Sequence, residues 1–300
     1  MLRRSLALLV TGVLAASPAF AQDRDWSKIE VKTTALGGGV SALAGAGGNI
    51  GVFVSPDGIL LVDDQFAPLT PKIKAAVAAL SDKPVRLVLN THWHGDHVGG
   101  NENMANDGAV IVAQDNVRKR MTEGQVSKFF SRTTPPAAHA ALPVITFDRD
   151  VTFHLGEETI DALHVDHAHT DGDVIVRFEK ANVVHMGDTF FNGFYPIIDL
   201  ESGGSVDGVV TAADKALPWM DADTKVIPGH GPVSDKAGLV EYRAMVKDIR
   251  DNVRALVKKK KSLAEVQAAK PTAKYDAKWG QGSMKPERFV EIVYNSLTAH

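Results

Sequence analysis

Between Thr91 and His97 the chain reads Thr-His-Trp-His-Gly-Asp-His, which places three histidines and a carboxylate within six residues. His92 and His94 stand two apart, so on an extended segment both imidazoles leave the same face and can reach one metal. Gly95 permits a sharp turn. Asp96 and His97 beyond it are free to reach a second metal beside the first. Neutral imidazole is the commonest metal ligand, and sites of nitrogen and oxygen donors suit zinc. A lone histidine would read as an ordinary loop residue. Four donors at this spacing point to metal.

The pattern His92-x-His94-x-Asp96-His97 resembles the dinuclear metal signature of the metallo-β-lactamase superfamily, and later positions match in the order that family shows. His169-Thr170-x-Gly172-Asp173 resembles its second motif, with Ala168 where a glycine often stands. Gly187-Asp188 matches its bridging aspartate and Pro228-Gly229-His230-Gly231 its last ligand motif. Asp63, at the end of an apolar run, matches the aspartate that orients a ligand histidine from behind. The resemblance covers Asp63 to Gly231. It implies His92, His94 and His169 on one metal, Asp96, His97 and His230 on the other, and Asp188 bridging. The set is all nitrogen and oxygen, so two Zn2+ per chain are expected, with Fe or Mn compatible. His167 has the parity to share the face of His169 and line the cleft, whereas His164 reads as a sheet residue.

What the resemblance implies about activity is metal-dependent hydrolysis by a metal-bound hydroxide, with Asp96 orienting that hydroxide and shuttling its proton. Asp188 stands where the best-known dinuclear β-lactamases of the family carry cysteine, and is more similar to glyoxalase-type thioesterases, lactonases and phosphodiesterases. A carbonyl ester, lactone or β-lactam is the expected small-molecule substrate. Thioester or phosphodiester hydrolysis on the same site, and a noncatalytic zinc-binding or redox protein, are the alternatives. Phe190, Phe191, Phe194 and Tyr195 follow the bridging aspartate. Phe190, Phe191 and Tyr195 are expected to bind substrate, as an apolar wall with one hydroxyl donor. Their other reading is as core aromatics.

The elements that must position these residues read as strands and helices in alternation. Residues 49–54 and 59–62 are strands around a Ser-Pro-Asp-Gly turn, and residues 85–89 form a buried-type strand that delivers the histidine loop. Thr70 caps a helix that Pro71 opens. Further strands fall at 110–113, 144–147, 151–155, 159–165, 174–178 and 183–186, with a helix at 114–121. Every candidate ligand thus follows a strand. The stretch 122–142 is less regular and reads either as a mobile flap or as a connector, with Phe129 and Phe130 as its anchors or pocket residues and His139 at the surface. The C-terminal part is helical: residues 236–257, a capping box at Ser262-x-x-Glu265, and an amphipathic helix over 286–297. Strands, helix and metal loop, then strands, ligands and helices, suggest two αβ halves packed sheet to sheet. The resemblance implies an α/β fold, the αββα sandwich of two mixed sheets with outer helices.

The N-terminus is of another kind. Leu2-Arg3-Arg4, an apolar run and Ala19-Phe20-Ala21 read as a secretory signal peptide over residues 1–21, too short to span a bilayer comfortably. Residues 22–300 then form a single domain whose helical C-terminal segment covers about 234–300. Without Arg3 and Arg4, 31 basic residues face 36 acidic ones, which argues against nucleic acid as a partner. No membrane contact is expected after cleavage. The absence of cysteine suits an oxidising compartment without thiol hazard. A periplasmic location is expected, full secretion is compatible, and the oligomeric state stays open.

Overall fold

The computed structural model describes residues 24–127 and 132–299. The expected leader, and Phe129 and Phe130, lie outside the described residues. The first half contributes β1 (Lys32–Gly37), β2 (Val40–Ala44), β3 (Ile50–Ser55), β4 (Gly58–Val62), β5 (Val85–Leu89) and β6 (Val110–Gln114). A small hairpin, β7 (Gln125–Ser127) and β8 (Arg132–Thr134), follows, then β9 (Ile145–Phe147). The second half holds β10 (Asp150–Leu155), β11 (Glu158–His164), β12 (Val174–Phe178), β13 (Val183–His185), β14 (Lys225–Ile227) and β15 (Ser234–Asp235). Strands β1 to β6 with β9 form one seven-stranded sheet, and β10 to β15 form a six-stranded one. Both are mixed: β4, β5, β6 and β9 run parallel in the first, and β13 with β14 in the second.

Strand alternation divides the core into three layers. Leu60, Val62, Leu89 and Val112 face Val174, Val176, Phe178 and Ile227 between the sheets. Ile59, Leu61 and Val88 point the other way, onto α1 (Thr70–Ala78) and α3 (Asn101–Asn106), with α2 (Gly95–Val98) between those helices in sequence. Ile175 and Val184 pack on α5 (Val206–Ala216), α6 (Lys236–Lys258) and α9 (Pro286–Thr298). Strands buried on both faces need continuous apolar runs, which is why β4, β12 and β13 show little polar alternation. The result is the expected αββα sandwich.

Two helix starts instruct. Thr70 does not cap α1: a 3-10 turn over Ala67–Leu69 runs straight into it, Leu69 holds the cap position, and Thr70 Oγ1 accepts a bond from Asn103 Nδ2 at 3.0 Å. Pro71 sits in the first turn as expected. By contrast the capping box of Ser262 and Glu265 is present in full at α7 (Leu263–Ala268). A fourth helix of the first half, α4 (Asp115–Glu123), is opened by Gln114, whose side chain accepts from Asn116 N. No described helix is long and apolar enough to cross a membrane.

Candidate metal centre

The carboxyl ends of β4, β5, β13 and β14 meet at one edge of the sandwich, and the loops leaving them carry most of the candidate residues. Asp63, just past β4, is fully buried and clamps the histidine loop. Its two carboxylate oxygens accept from Thr91 N and Thr91 Oγ1, each at 2.7 Å, and Oδ2 also meets His97 Nδ1 at 2.8 Å. The loop is then held tight by a glycine: a Cβ on Gly48 would run into the His97 ring. A Cβ on Gly229 would likewise strike Asp188 Oδ1.

Two donor groups result. His92, His94, His169 and Asp188 offer one ligand atom each within 4.8 Å of one another, and so do Asp96, His97 and His230. In the first, His94 Nδ1 lies 2.9 Å from His169 Nε2. In the second, His97 Nε2 faces His230 Nε2 at 3.5 Å, and Asp96 Oδ2 lies 3.3 Å from His230 Nε2. Asp188 joins them. Its Oδ2 is 3.5 Å from His169 Nε2 and 3.4 Å from His230 Nε2, and its Oδ1 is 3.1 Å from His97 Nε2. The last contact pairs a buried imidazole with a buried carboxylate.

The opposite nitrogens of four histidines are pinned. His92 Nδ1 meets Thr91 Oγ1 at 3.1 Å, His94 Nε2 meets Asp199 Oδ2 at 3.0 Å, His97 Nδ1 meets Asp63, and His169 Nδ1 donates to the Ile197 carbonyl at 2.8 Å. Such partners fix ring orientation and tautomer. Asp199 escaped the sequence reading. The signal for it was a lone carboxylate in the apolar run from Tyr195 to Leu200, a residue that needs a buried partner.

The donor set fits bound metal on an observation independent of motif. His92 Nε2 and Asp188 Oδ1 are buried without any hydrogen-bond partner. Orphaned buried groups cost roughly 1–3 kcal/mol each, and more when charged. Both belong to the donor set, where a cation would satisfy them. Ring nitrogens facing one another at hydrogen-bond distance likewise need something positive, a proton or a metal, between them.

The electrostatics divide the histidines. Burial pushes His92 well below its ordinary value and His169 down to about 4, against the pull of Asp188. For His97 and His230 burial acts the same way but loses: Asp188, Asp63 and Asp96 hold His97 well above 6.5, and Asp188 with Asp96 raises His230 to about 9. Burial would raise Asp96 and Asp188, yet His97 and His230 hold both carboxyls below the usual carboxylate range.

A cavity of about 420 Å³ opens over these groups, with Trp93, His94, Asp96, His169, Asp188 and His230 in its lining. Phe191 also lines it, stacked on His230 at 5.2 Å between centroids. Phe190 and Tyr195 do not line the cavity, contrary to expectation. Extended backbone after the turn at Gly187–Thr189 sends neighbours to opposite sides, so Phe190 packs on Tyr242 while Phe191 faces the site. Tyr195 stacks on Phe289, and its hydroxyl donates to Asp276 Oδ1 at 2.8 Å. Phe194 does reach the cavity. His167 is exposed, not in the cleft: its φ of 51° breaks the alternation, and Nδ1 meets the Gly203 carbonyl instead. His164 ends β11, as a sheet residue. His139 is exposed. Of the irregular stretch 122–142, the β7–β8 hairpin supplies Gln125, Ser127 and Thr134 to the cavity wall.

The profile of the metallo-beta-lactamase superfamily matches residues 44–236. The chain is 24% identical over 187 residues to the probable metallo-hydrolase YqgX of Bacillus subtilis, covering 59% of this chain and 84% of that one. It is 28% identical over 105 residues to a hydroxyacylglutathione hydrolase of Erythrobacter litoralis, 35% of this chain and 34% of that one. Among solved structures, a metallo-beta-lactamase from Pontibacter korlensis superimposes with a TM-score of 0.61 at 17% identity, covering 73% of this chain and 100% of that one. The sec-alkylsulfatase Pisa1 from Pseudomonas sp. gives 0.66 at 16% identity over 88% of this chain and 50% of its own. These likenesses show the fold.

Proposed function

Since the chain belongs to the metallo-beta-lactamase superfamily, we propose that it is a dinuclear metal-dependent hydrolase of a carbonyl ester, lactone or β-lactam. Zn2+ suits the donors best, and iron or manganese would be held by the same atoms. His92, His94 and His169 would hold one ion, Asp96, His97 and His230 the other, and Asp188 both. The observation that carries this reading is Asp188, a buried carboxylate in contact with both donor groups whose Oδ1 has no hydrogen-bond partner. When bound, the ions supply Lewis acidity, which can lower the pKa of water from about 15.7 to about 7 and polarise a substrate oxygen.

The remaining roles fall to the chain. Asp96 lines the cavity and is kept ionised by His97 and His230, so it can accept a hydrogen bond from the attacking water. It can then carry that proton toward the leaving group. Asp63 and Asp199 hold the His97 and His94 rings in register. Trp93 and Phe191 cover the flanks of the site with apolar surface, which strengthens every charge interaction inside. The similarity to a hydroxyacylglutathione hydrolase favours thioesters as the second reading. Metal-replete and chelator-treated protein should be offered β-lactams, lactones, aryl esters, thioesters and phosphodiesters. Chelator-sensitive acyl hydrolysis supports the proposal. Phosphodiester cleavage alone would refute the carbonyl reading, and no turnover of any class would favour a noncatalytic metal-binding protein. Export to the periplasm is proposed on the leader motif, and an intact Met1 terminus on protein recovered from the cytosol would count against it.

A further inference from the structure

The run Gly45-Ala-Gly-Gly-Asn49 joins β2 to β3 and holds no histidine or carboxylate. It nevertheless meets both segments that carry the second donor group. Gly48 N donates to the Asp96 carbonyl at 3.2 Å. Asn49 N donates to the Gly229 carbonyl at 2.7 Å, and Asn49 Nδ2 donates to the Pro228 and Gly231 carbonyls at 2.9 and 2.8 Å. The carbonyls on either side of His230 thus converge on one buried residue at the start of β3. A primary amide has two N–H donors, and this loop takes both. An aspartate of the same shape would turn oxygen toward oxygen.

His185 ends β13, three residues before Asp188, and is fully buried. Its Nδ1 accepts from Gly187 N at 3.1 Å, and its Nε2 meets the Asn49 carbonyl at 3.1 Å. A backbone N–H only donates and a carbonyl only accepts, so the ring is neutral with its proton on Nε2. Gly51 leaves the ring its room: a Cβ there would come within 3.1 Å of His185 Cδ2. The two side chains form a buried bridge from the first sheet to the segments that bring Asp188 and His230 from the second. A functional constellation must be held to within about 0.5 Å, and these two donors must meet Asp96 and His97 across the sheets. Resting on the hydrolase reading, we infer that Asn49 and His185, neither of them a candidate ligand, are positioning residues of the metal centre. Asn49 holds the loop of His230, and His185 holds the turn of Asp188.

The test reads metal binding and ring protons as well as rates. In metal-free protein, nitrogen-resolved NMR should show one neutral imidazole, lost in His185→Asn, with its proton on Nε2. Stepwise Zn2+ uptake is then followed against a chromophoric chelator, the step lost in His230→Ala marking the second group. Asn49→Asp should weaken that step about 10–100-fold, the loss that follows removal of a group orienting a ligand, and the other step less. His185→Leu should weaken both steps, because Asp188 serves both. His185→Asn, whose Oδ1 can take the Gly187 N–H in place of Nδ1, should recover part of that loss. Thr224→Val removes a bond of 2.7 Å to Asn182 just before β14, at the end away from His230, and should leave both steps unchanged. No loss, or equal loss at both steps, in Asn49→Asp would overturn the inference. So would absence of recovery in His185→Asn, the same loss in Thr224→Val, or a proton on Nδ1 of His185. If Asn49→Asp does not fold, Asn49→Ala is read in the same way. The expected Zn2+ behaviour without turnover of any substrate class would uphold the inference and sink the hydrolase reading. Turnover in wild type with Zn2+ steps unmoved in the variants would sink the inference and keep that reading.

Discussion

The two donor groups are built from the same residue types and share Asp188, yet they hold protons oppositely. In the first, His92, His169 and Asp188 are buried and His94 half-buried; in the second only His97 is buried. Burial decides the first group, so His92 and His169 are neutral at pH 7. Carboxylates decide the second, where His97 touches Asp63, Asp188 and Asp96, and His230 touches Asp188 and Asp96. An imidazole with one shared carboxylate stays ready for a cation. An imidazole among two or three carries a proton that a metal must displace.

The contrast can be broken at its shared member. Asp188→Ala should abolish it, with loss of metal from both groups and a fall in turnover exceeding the ~10²–10⁴-fold cost of removing one general acid–base group. Elemental analysis and steady-state rates would read both effects, and near-normal rates would refute a bridging role. Asp96→Asn should fall within that ~10²–10⁴ range while metal is retained. Full activity in the Asn variant would remove Asp96 from proton transfer.

Milder changes separate the groups. Asp199→Asn and Asp63→Asn should each cost about 10–100-fold in metal affinity, the former at the site of His94 and the latter at that of His97. Competition with a chromophoric chelator would show which site weakens, and identical losses at both sites from either variant would contradict the assignment.

Without metal the groups should also differ in their response to pH. The folded pKa of His169, about 4, lies below its ordinary 6.5, so its contribution is complete above pH 6.5 and lost as the pH falls toward 4. The folded pKa of His230, about 9, lies above 6.5, so its contribution is complete below pH 6.5 and lost as the pH rises through 9. Melting of the metal-free protein should therefore weaken on both sides, and metal uptake at pH 7 should release protons, seen as buffer-dependent heats in calorimetry. Uptake without proton release would show that the second group is not protonated. The smallest effect is expected away from both groups: Tyr195→Phe should cost about 1 kcal/mol in denaturant melts, the worth of one hydrogen bond, and leave KM unchanged. A raised KM would return Tyr195 to the substrate site.

Legibility followed range. The histidine loop, the apolar strand before it and the long C-terminal helix are local patterns, and each stands in the structure close to its sequence reading. Asp63 was found through a motif position, and its contacts with Thr91 and His97 give that position a physical content. What failed was direction. Phe190 and Phe191 are adjacent and chemically identical, so only the backbone after the 3-10 turn decides which faces the cavity. Tyr195 depends on Asp276, 81 residues later, and no local pattern links them. Asp199 lies 105 residues from His94, beyond the reach of any spacing argument. Thr70 lost its capping role because the preceding turn was already helical, which propensity at one residue does not reveal.

Four of the seven donors leave the first sheet through the loop after β5, and three leave the second through the loops after β11, β13 and β14. Ions seated among them would therefore rivet one half of the sandwich to the other. Each tenfold rise of free ion above the dissociation constant would then add about 1.4 kcal/mol to the folded state. The lifetime of the folded chain would then be a gauge of the ion supply around it: starved of metal, the chain would lose its clasp and open to proteases.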